Sequence, residues 1–185
     1  MILDLIGWKL TLIGDYPYEY KRKVMVAGPH TSNWDFPLGI LIRTQLREPV
    51  MYVGKAALFK PPFGWLFYKL GGIPVDRSKS TNFVQQVTEF ISKKERATVL
   101  LAGEGKRKRV DKFKTGFYYI AQTAQIPILP VILDYDTKEF RIGPLVHPTD
   151  DDEADIQYIE SLFKGVRGKI KEYSFYPDHS ESESE

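Results

Sequence analysis

The feature that most narrows the fold of this chain is an alternation of short β-rich runs with stretches of helical periodicity. Lys23–Ala27 (KVMVA) reads as a strand, followed by the loop GPHTSN and an apolar helical stretch from about Trp34 to Leu46. Val50–Val53 is a second short strand, and residues 55–70 are aromatic, broken by Pro61 and Pro62, leading into Ile73–Val75. Phe83, Val84, Val87, Phe90 and Ile91 recur at helical spacing, which predicts a helix over Thr81–Lys94, with Ser80 or Thr81 able to cap it. Ala97–Leu101 (ATVLL) has a buried-strand pattern, Phe113–Ala124 reads as a helix, Ile128–Leu133 as a strand and Phe140–Ile142 as a weaker one. A last helix is predicted from about Asp152 to Lys171 behind a Thr149 cap. This rhythm predicts a single α/β domain with a largely parallel central sheet flanked by helices. In such sheets chemistry gathers in the loops beyond the carboxyl ends of the strands.

Composition removes several classes of function. The 185 residues suit one domain with a substantial core, and a formal charge of +2 gives no argument for nucleic acid. There are no cysteines, which excludes a disulfide framework, a thiolate metal site and a cysteine nucleophile. No run approaches the roughly 18 uninterrupted apolar residues of a spanning helix. The start, MILDLIGWKLTLIG, carries Asp4 and Lys9 and lacks the pattern of a signal peptide. It is either an amphipathic interfacial helix or a first helix packed on the core. The expected organisation is an apolar segment over residues 1–20, a main domain over 21–172 and an acidic, disordered tail over 173–185.

Three loops carry the unusual residues. In His30-Thr-Ser-Asn-Trp-Asp35 the histidine follows a strand and the aspartate falls in the first turn of the next helix. Folding that loop back can bring the carboxylate to one imidazole nitrogen and leave the other for substrate. This is half of a serine triad without the serine, so the hydroxyl being activated belongs to the substrate. The plainer reading is a satisfied loop histidine and a helix-capping aspartate. Gly71-Gly-Ile-Pro-Val-Asp-Arg77 places an arginine at a strand end, suited either to gripping phosphate or to lying at a surface turn. Leu100-Leu-Ala-Gly-Glu-Gly-Lys-Arg-Lys-Arg109 runs from a buried strand into glycines, Glu104 and four basic residues. Glycines allow backbone N–H groups close to an anion, although a charge run is more often a solvated face. It is neither a Walker loop nor a dinucleotide fingerprint, since Leu100 and Lys108 stand where those motifs need glycine. His147 lies in a proline-flanked loop and His179 in the tail, and no HExxH or G-x-S-x-G pattern occurs. No metal site is therefore expected.

Taken with Ile126-Pro-Ile-Leu-Pro-Val131, these loops resemble the four ordered blocks of the glycerophospholipid acyltransferase family, which includes the lysophosphatidic acid acyltransferases. HTSNWD is similar to its His-x4-Asp block, GGIPVDR to its Gly-x-Ile-x-x-Asp-Arg block, AGEGKR to its Phe-Pro-Glu-Gly-Thr-Arg block and IPILPV to its proline-containing block. The departures are Pro29 where the family often has Asn, Gly103 for Pro and Lys106 for Thr. The resemblance implies a glycerol-3-phosphate acyltransferase-like fold, with His30 as general base and Asp35 as its orienting partner. Arg77, Glu104, Gly105 and Arg107 would shape the pocket for the acceptor's phosphate, with Lys106 beside them, and Pro127 and Pro130 would shape the strand and its entry. The donor would be acyl-CoA or acyl-carrier protein, the acceptor a lysophospholipid, and no cofactor is implied. The rival readings are a different lysolipid or amino-lipid acceptor, suggested by Lys106, and a phosphate- or lipid-binding domain without turnover. Residues 1–14 and the aromatic, lysine-bearing 58–70 stretch are the expected contacts with a membrane surface. A peripheral position on the cytoplasmic face follows as an expectation.

Overall fold

In a computed structural model, which describes residues 2–75 and 80–175, seven strands form one sheet. The strands are β1 (Lys9–Leu12), β2 (Arg22–Gly28), β3 (Val50–Lys55), β4 (Gly72–Val75), β5 (Ala97–Ala102), β6 (Ile128–Asp134) and β7 (Glu139–Ile142). Their order is β1-β7-β6-β2-β5-β3-β4. All neighbours are parallel except β6 and β7, which pair antiparallel. The helices are α1 (Ile2–Leu5), α2 (Asp35–Leu46), α3 (Gly64–Lys69), α4 (Ser80–Ser92), α5 (Gly116–Ala124) and α6 (Asp152–Ser161).

The period-two alternation of the central strands divides the core between the two faces. On β2, Val24 and Val26 point to one side and Met25 to the other; on β6, Ile128 and Ile132 oppose Leu129, Val131 and Leu133. The first face is covered by Val87 and Ile91 of α4, by Phe117, Tyr118, Ile120 and Ala121 of α5, and by Ile159 of α6. Leu38, Ile42 and Leu46 of α2 cover the second, together with Leu3 and Trp8. Every residue of β6 is buried, so its near-continuous apolar run is that of a strand covered on both faces.

Several expectations are revised. Lys9–Leu12 is a strand that the sequence pattern does not announce, because only Leu10 of its four residues is even half-buried; pairing with β7 makes it a strand. Among the described residues before 21, Leu3, Trp8 and Tyr16 are buried in the main core while Leu5, Ile6, Leu12 and Ile13 are exposed. The final helix stops at Ser161, ten residues early. Gly165 then takes a φ of +75°, incompatible with continuing the helix, and Phe163, Val166 and Phe175 are buried by an irregular segment instead. The cap of α6 is Asp151, whose carboxylate accepts from the Ala154 N–H at 3.0 Å, while Thr149 bonds Asp155. Helix α5 begins at Gly116 because Phe113 is inserted into the core against Phe163 and Phe175. Packed structure thus continues to Phe175, past residue 172.

Strand register decides which loops meet. Ala27 of β2 is opposite Ala102 of β5, and Gly28 is opposite Ile132 of β6. His30, Glu104 and Tyr135 follow these positions by two or three residues and so emerge side by side at the carboxyl edge. β4 is two strands away from β5, and Asp76 and Arg77, which follow it, lie outside the described residues.

Candidate active site

The HTSNWD loop is folded around one carboxylate. Asp35 Oδ2 lies 3.0 Å from His30 Nδ1 and accepts the backbone N–H groups of Thr31 and Ser32, each at 2.9 Å. Asp35 Oδ1 accepts the hydroxyl of Tyr135 at 2.7 Å. Burial alone would raise the pKa of Asp35, but the hydrogen bonds from His30, Ser32 and Tyr135 outweigh it and hold the carboxyl below its ordinary value of 3.8. An ionised Asp35 offers only acceptors, so His30 Nδ1 carries the hydrogen and Nε2 is the basic nitrogen. The His30 side chain keeps 31% of its surface in solvent against 7% for Asp35. The imidazole therefore reaches outward while the carboxylate stays behind it.

Glu104 holds the same loop from the other side. Its Oε1 accepts the backbone N–H of His30 at 2.8 Å, and the residue is fully buried. Its Oε2 is buried with no hydrogen-bond partner among the described residues. Burial pushes this carboxyl up to about 7, against the opposing pull of the His30 N–H. Arg107 is exposed and donates from Nη1 to Asn33 Oδ1, so the third loop is tied to the first. Lys106 is exposed on the same turn.

The glycines answer to geometry more than to anions. Gly105 has a φ of +67°, and its N–H is already given to Ala102 at 3.1 Å rather than left for a phosphate. Gly103 donates to Ala27 at 3.0 Å, and a Cβ there would stand 2.6 Å from the Phe113 ring. A proline at 103 would lack that N–H and collide with the ring, which accounts for the departure from the expected block. In the second block, a Cβ on Gly72 would meet Phe59 at 2.6 Å, so this residue makes room for a ring.

Sequence reasoning missed Tyr135. It follows β6 immediately, and the only signal was its position beyond a strand's carboxyl end. His147, which belongs to no sequence motif, lies 3.3 Å from the Tyr20 hydroxyl, away from the site. His179 lies outside the described residues. Below His30 and Asp35 a cavity of about 200 Å³ opens between α2 and the sheet. Met25, Leu46, Leu100, Leu133 and Phe140 line its interior.

Fold and site together define an α/β domain with a carboxylate-oriented histidine at the carboxyl edge of its sheet, opening onto an apolar cavity. A family model described as Acyltransferase matches residues 10–134, and the chain belongs to that family. It is 28% identical over 133 residues to the 1-acyl-sn-glycerol-3-phosphate acyltransferase of Escherichia coli (strain K12), covering 69% of this chain and 53% of that protein. The protein of that name from Haemophilus influenzae is 30% identical over 125 residues, covering 63% of this chain and 50% of its own. The one from Saccharomyces cerevisiae is 24% identical over 143 residues, covering 70% and 44%. The chain thus spans about half the length of the curated relatives it matches.

Proposed function

We propose that this chain transfers a fatty acyl group from a thioester donor, acyl-CoA or acyl-carrier protein, to the hydroxyl of a lysophospholipid, with 1-acyl-glycerol-3-phosphate the first acceptor to test. The carrying observation is the 3.0 Å contact between His30 Nδ1 and Asp35 Oδ2 at the mouth of an apolar cavity. The acceptor hydroxyl approaches His30 Nε2, which takes its proton as the oxygen attacks the thioester carbonyl. Asp35 steadies the imidazolium that forms. When the tetrahedral adduct collapses, the C–S bond breaks and the thiolate takes the proton from His30. No covalent acyl-enzyme enters this scheme. The apolar cavity suits an acyl chain, and Arg107 suits the acceptor's phosphate.

A peripheral membrane position, on the cytoplasmic face, completes the proposal. None of the helices among the described residues is long and apolar enough to cross a membrane. Leu58, Phe63, Trp65 and Leu66 are exposed near α3, beside exposed Lys55, Lys60 and Lys69. β1 runs antiparallel to β2, so the exposed Leu5 and Ile6 before it lie at the same edge as His30. Two greasy patches thus flank the edge where an acceptor would arrive from lipid. The reaction itself is tested by thiol release from acyl-CoA and from acyl-carrier protein with a panel of lysolipids. His30→Ala should lower turnover by roughly 10²–10⁴-fold, the usual worth of a general base. Near-parental turnover in a folded His30→Ala protein would refute the scheme.

A further inference from the structure

Asp35 receives four hydrogen bonds, and they are divided unequally. Three converge on Oδ2, from His30 and the Thr31 and Ser32 amides. Oδ1 has the Tyr135 hydroxyl as its donor among the described residues, at 2.7 Å. We infer that Tyr135 is a positioning residue which, through Asp35 Oδ1, sets how strongly the carboxylate draws a proton onto His30. The inference rests on the proposed role of His30 as base, and Tyr135 lies just beyond the matched span of 10–134.

Tyr135 is built to hold this position. It arrives from the turn after β6, one hundred residues along the chain from Asp35, through the register that sets Gly28 opposite Ile132. Its own N–H donates to the Arg167 carbonyl at 2.8 Å. Its ring meets Trp8 edge-on, with centroids 5.0 Å apart and an interplanar angle of 89°. Backbone and ring are thus fixed by two distant segments, which leaves the hydroxyl one direction to serve. Burial, the hydrogen bond to Asp35 and the charge of Asp35 all push its phenol well above the ordinary value, so it remains a donor wherever the enzyme works.

The physical effect has a defined sign. A donor on Oδ1 draws negative charge away from Oδ2, weakening the attraction of Asp35 for an imidazolium. It also fixes the carboxylate plane, keeping Oδ2 on the line to Nδ1. Without the hydroxyl, charge concentrates on Oδ2 and the proton on His30 is held more tightly. The base is then occupied to higher pH. Among the described residues, the charged groups near the pair and near Tyr135 include Glu104 on the His30 N–H, Arg107 on Asn33, Lys169 over the Trp34 ring at 5.0 Å, Arg43 lining the cavity, Arg167, and Asp136 paired with Lys171 at 2.8 Å. None of these contacts is made by the Tyr135 hydroxyl, so a change confined to it isolates its contribution.

The test is Tyr135→Phe, which keeps the ring on Trp8 and removes only the O–H. The His30 titration is followed by imidazole NMR, its signal identified by loss in His30→Ala, alongside the pH profile of kcat/KM. Both the His30 midpoint and the acidic limb should move to higher pH by roughly 0.5 unit, a fraction of the 1–3 units that a full charge partner is worth. As a second variant, 3-fluorotyrosine at position 135 preserves the shape and makes the phenol a stronger donor. It should move both quantities to lower pH. An unchanged midpoint in both variants, or shifts of the same sign, would overturn the inference and leave the general-base reading intact. Turnover surviving in His30→Ala overturns that reading instead, and the NMR midpoint still decides whether Tyr135 is coupled to His30.

Discussion

Glu104 Oε1 accepts the backbone N–H of His30 at 2.8 Å, while the other carboxylate oxygen of Glu104 is buried with no partner among the described residues. A carboxyl in this position is more easily protonated than in the unfolded chain. Its folded value is pushed up to about 7 from an ordinary 4.5. The folded state therefore binds this proton more tightly. The stability it contributes is complete below about 4.5 and is lost as pH rises through about 7. Over that window the change amounts to about 3 kcal/mol, at roughly 1.4 kcal/mol per unit. Urea unfolding of the parent and of Glu104→Gln between these pH values should show a falling slope in the parent that the variant lacks. Parallel curves would mean that Glu104 is ionised throughout.

Arg107 is expected to act on the acceptor. Its guanidinium stands on Asn33, inside the loop that carries His30, and is otherwise exposed. Loss of one charge-assisted contact costs roughly 1.5–3 kcal/mol, about ten- to a hundredfold in binding. In Arg107→Ala this should appear as a higher KM for the acceptor, with the donor KM nearly unchanged. Arg107→Lys should recover part of the loss, since it keeps the charge without the planar fork. Equal saturation of parent and Arg107→Ala by acceptor would leave the arginine a role in holding Asn33 alone.

Membrane attachment should depend on the exposed aromatics near α3. Phe63 and Trp65 are 66% and 65% exposed, so their removal costs little in the folded core. Burying such a side chain is worth roughly 1.5–3 kcal/mol. The double variant Phe63→Ala, Trp65→Ala should therefore bind anionic vesicles at least about tenfold more weakly in co-sedimentation at low salt, with unchanged thermal unfolding. Equal binding would move the contact elsewhere.

At the opposite end of the sheet a buried ion pair is expected to govern stability. Lys23 Nζ lies 3.5 Å from Glu48 Oε1, with both side chains almost wholly out of solvent. Burial pulls the Lys23 ammonium below the usual lysine range, and Glu48 opposes this. Glu48→Ala leaves that cation without its carboxylate and should cost roughly 3–5 kcal/mol in urea unfolding. Lys23→Met should cost less, because Glu48 keeps Arg96 at 3.6 Å and the Thr98 hydroxyl at 3.1 Å. Equal losses would show that the pair contributes through packing alone.

Much of this molecule was legible in its order of residues. The apolar runs KVMVA, ATVLL and ILPVIL are short and rich in branched side chains, and each became a strand buried on both faces. The spacing of His30 and Asp35 is local, and a five-residue loop has few ways to return a carboxylate to a ring, so that pairing could be read directly. Residues 9–12 were not legible as a strand because their partner, β7, lies about 130 positions away. The end of the last helix was equally hidden, since the burial of Phe163, Val166 and Phe175 decides where the chain must leave helical geometry. Tyr135 and Glu104 belong to the same case. The sequence put each just after a strand, but only the alignment of β5, β2 and β6 places a carboxylate on the His30 amide and a phenol on Asp35. Local periodicity specifies elements because neighbouring residues share one backbone conformation. Strand register specifies the site because it fixes which distant residues share a few ångströms.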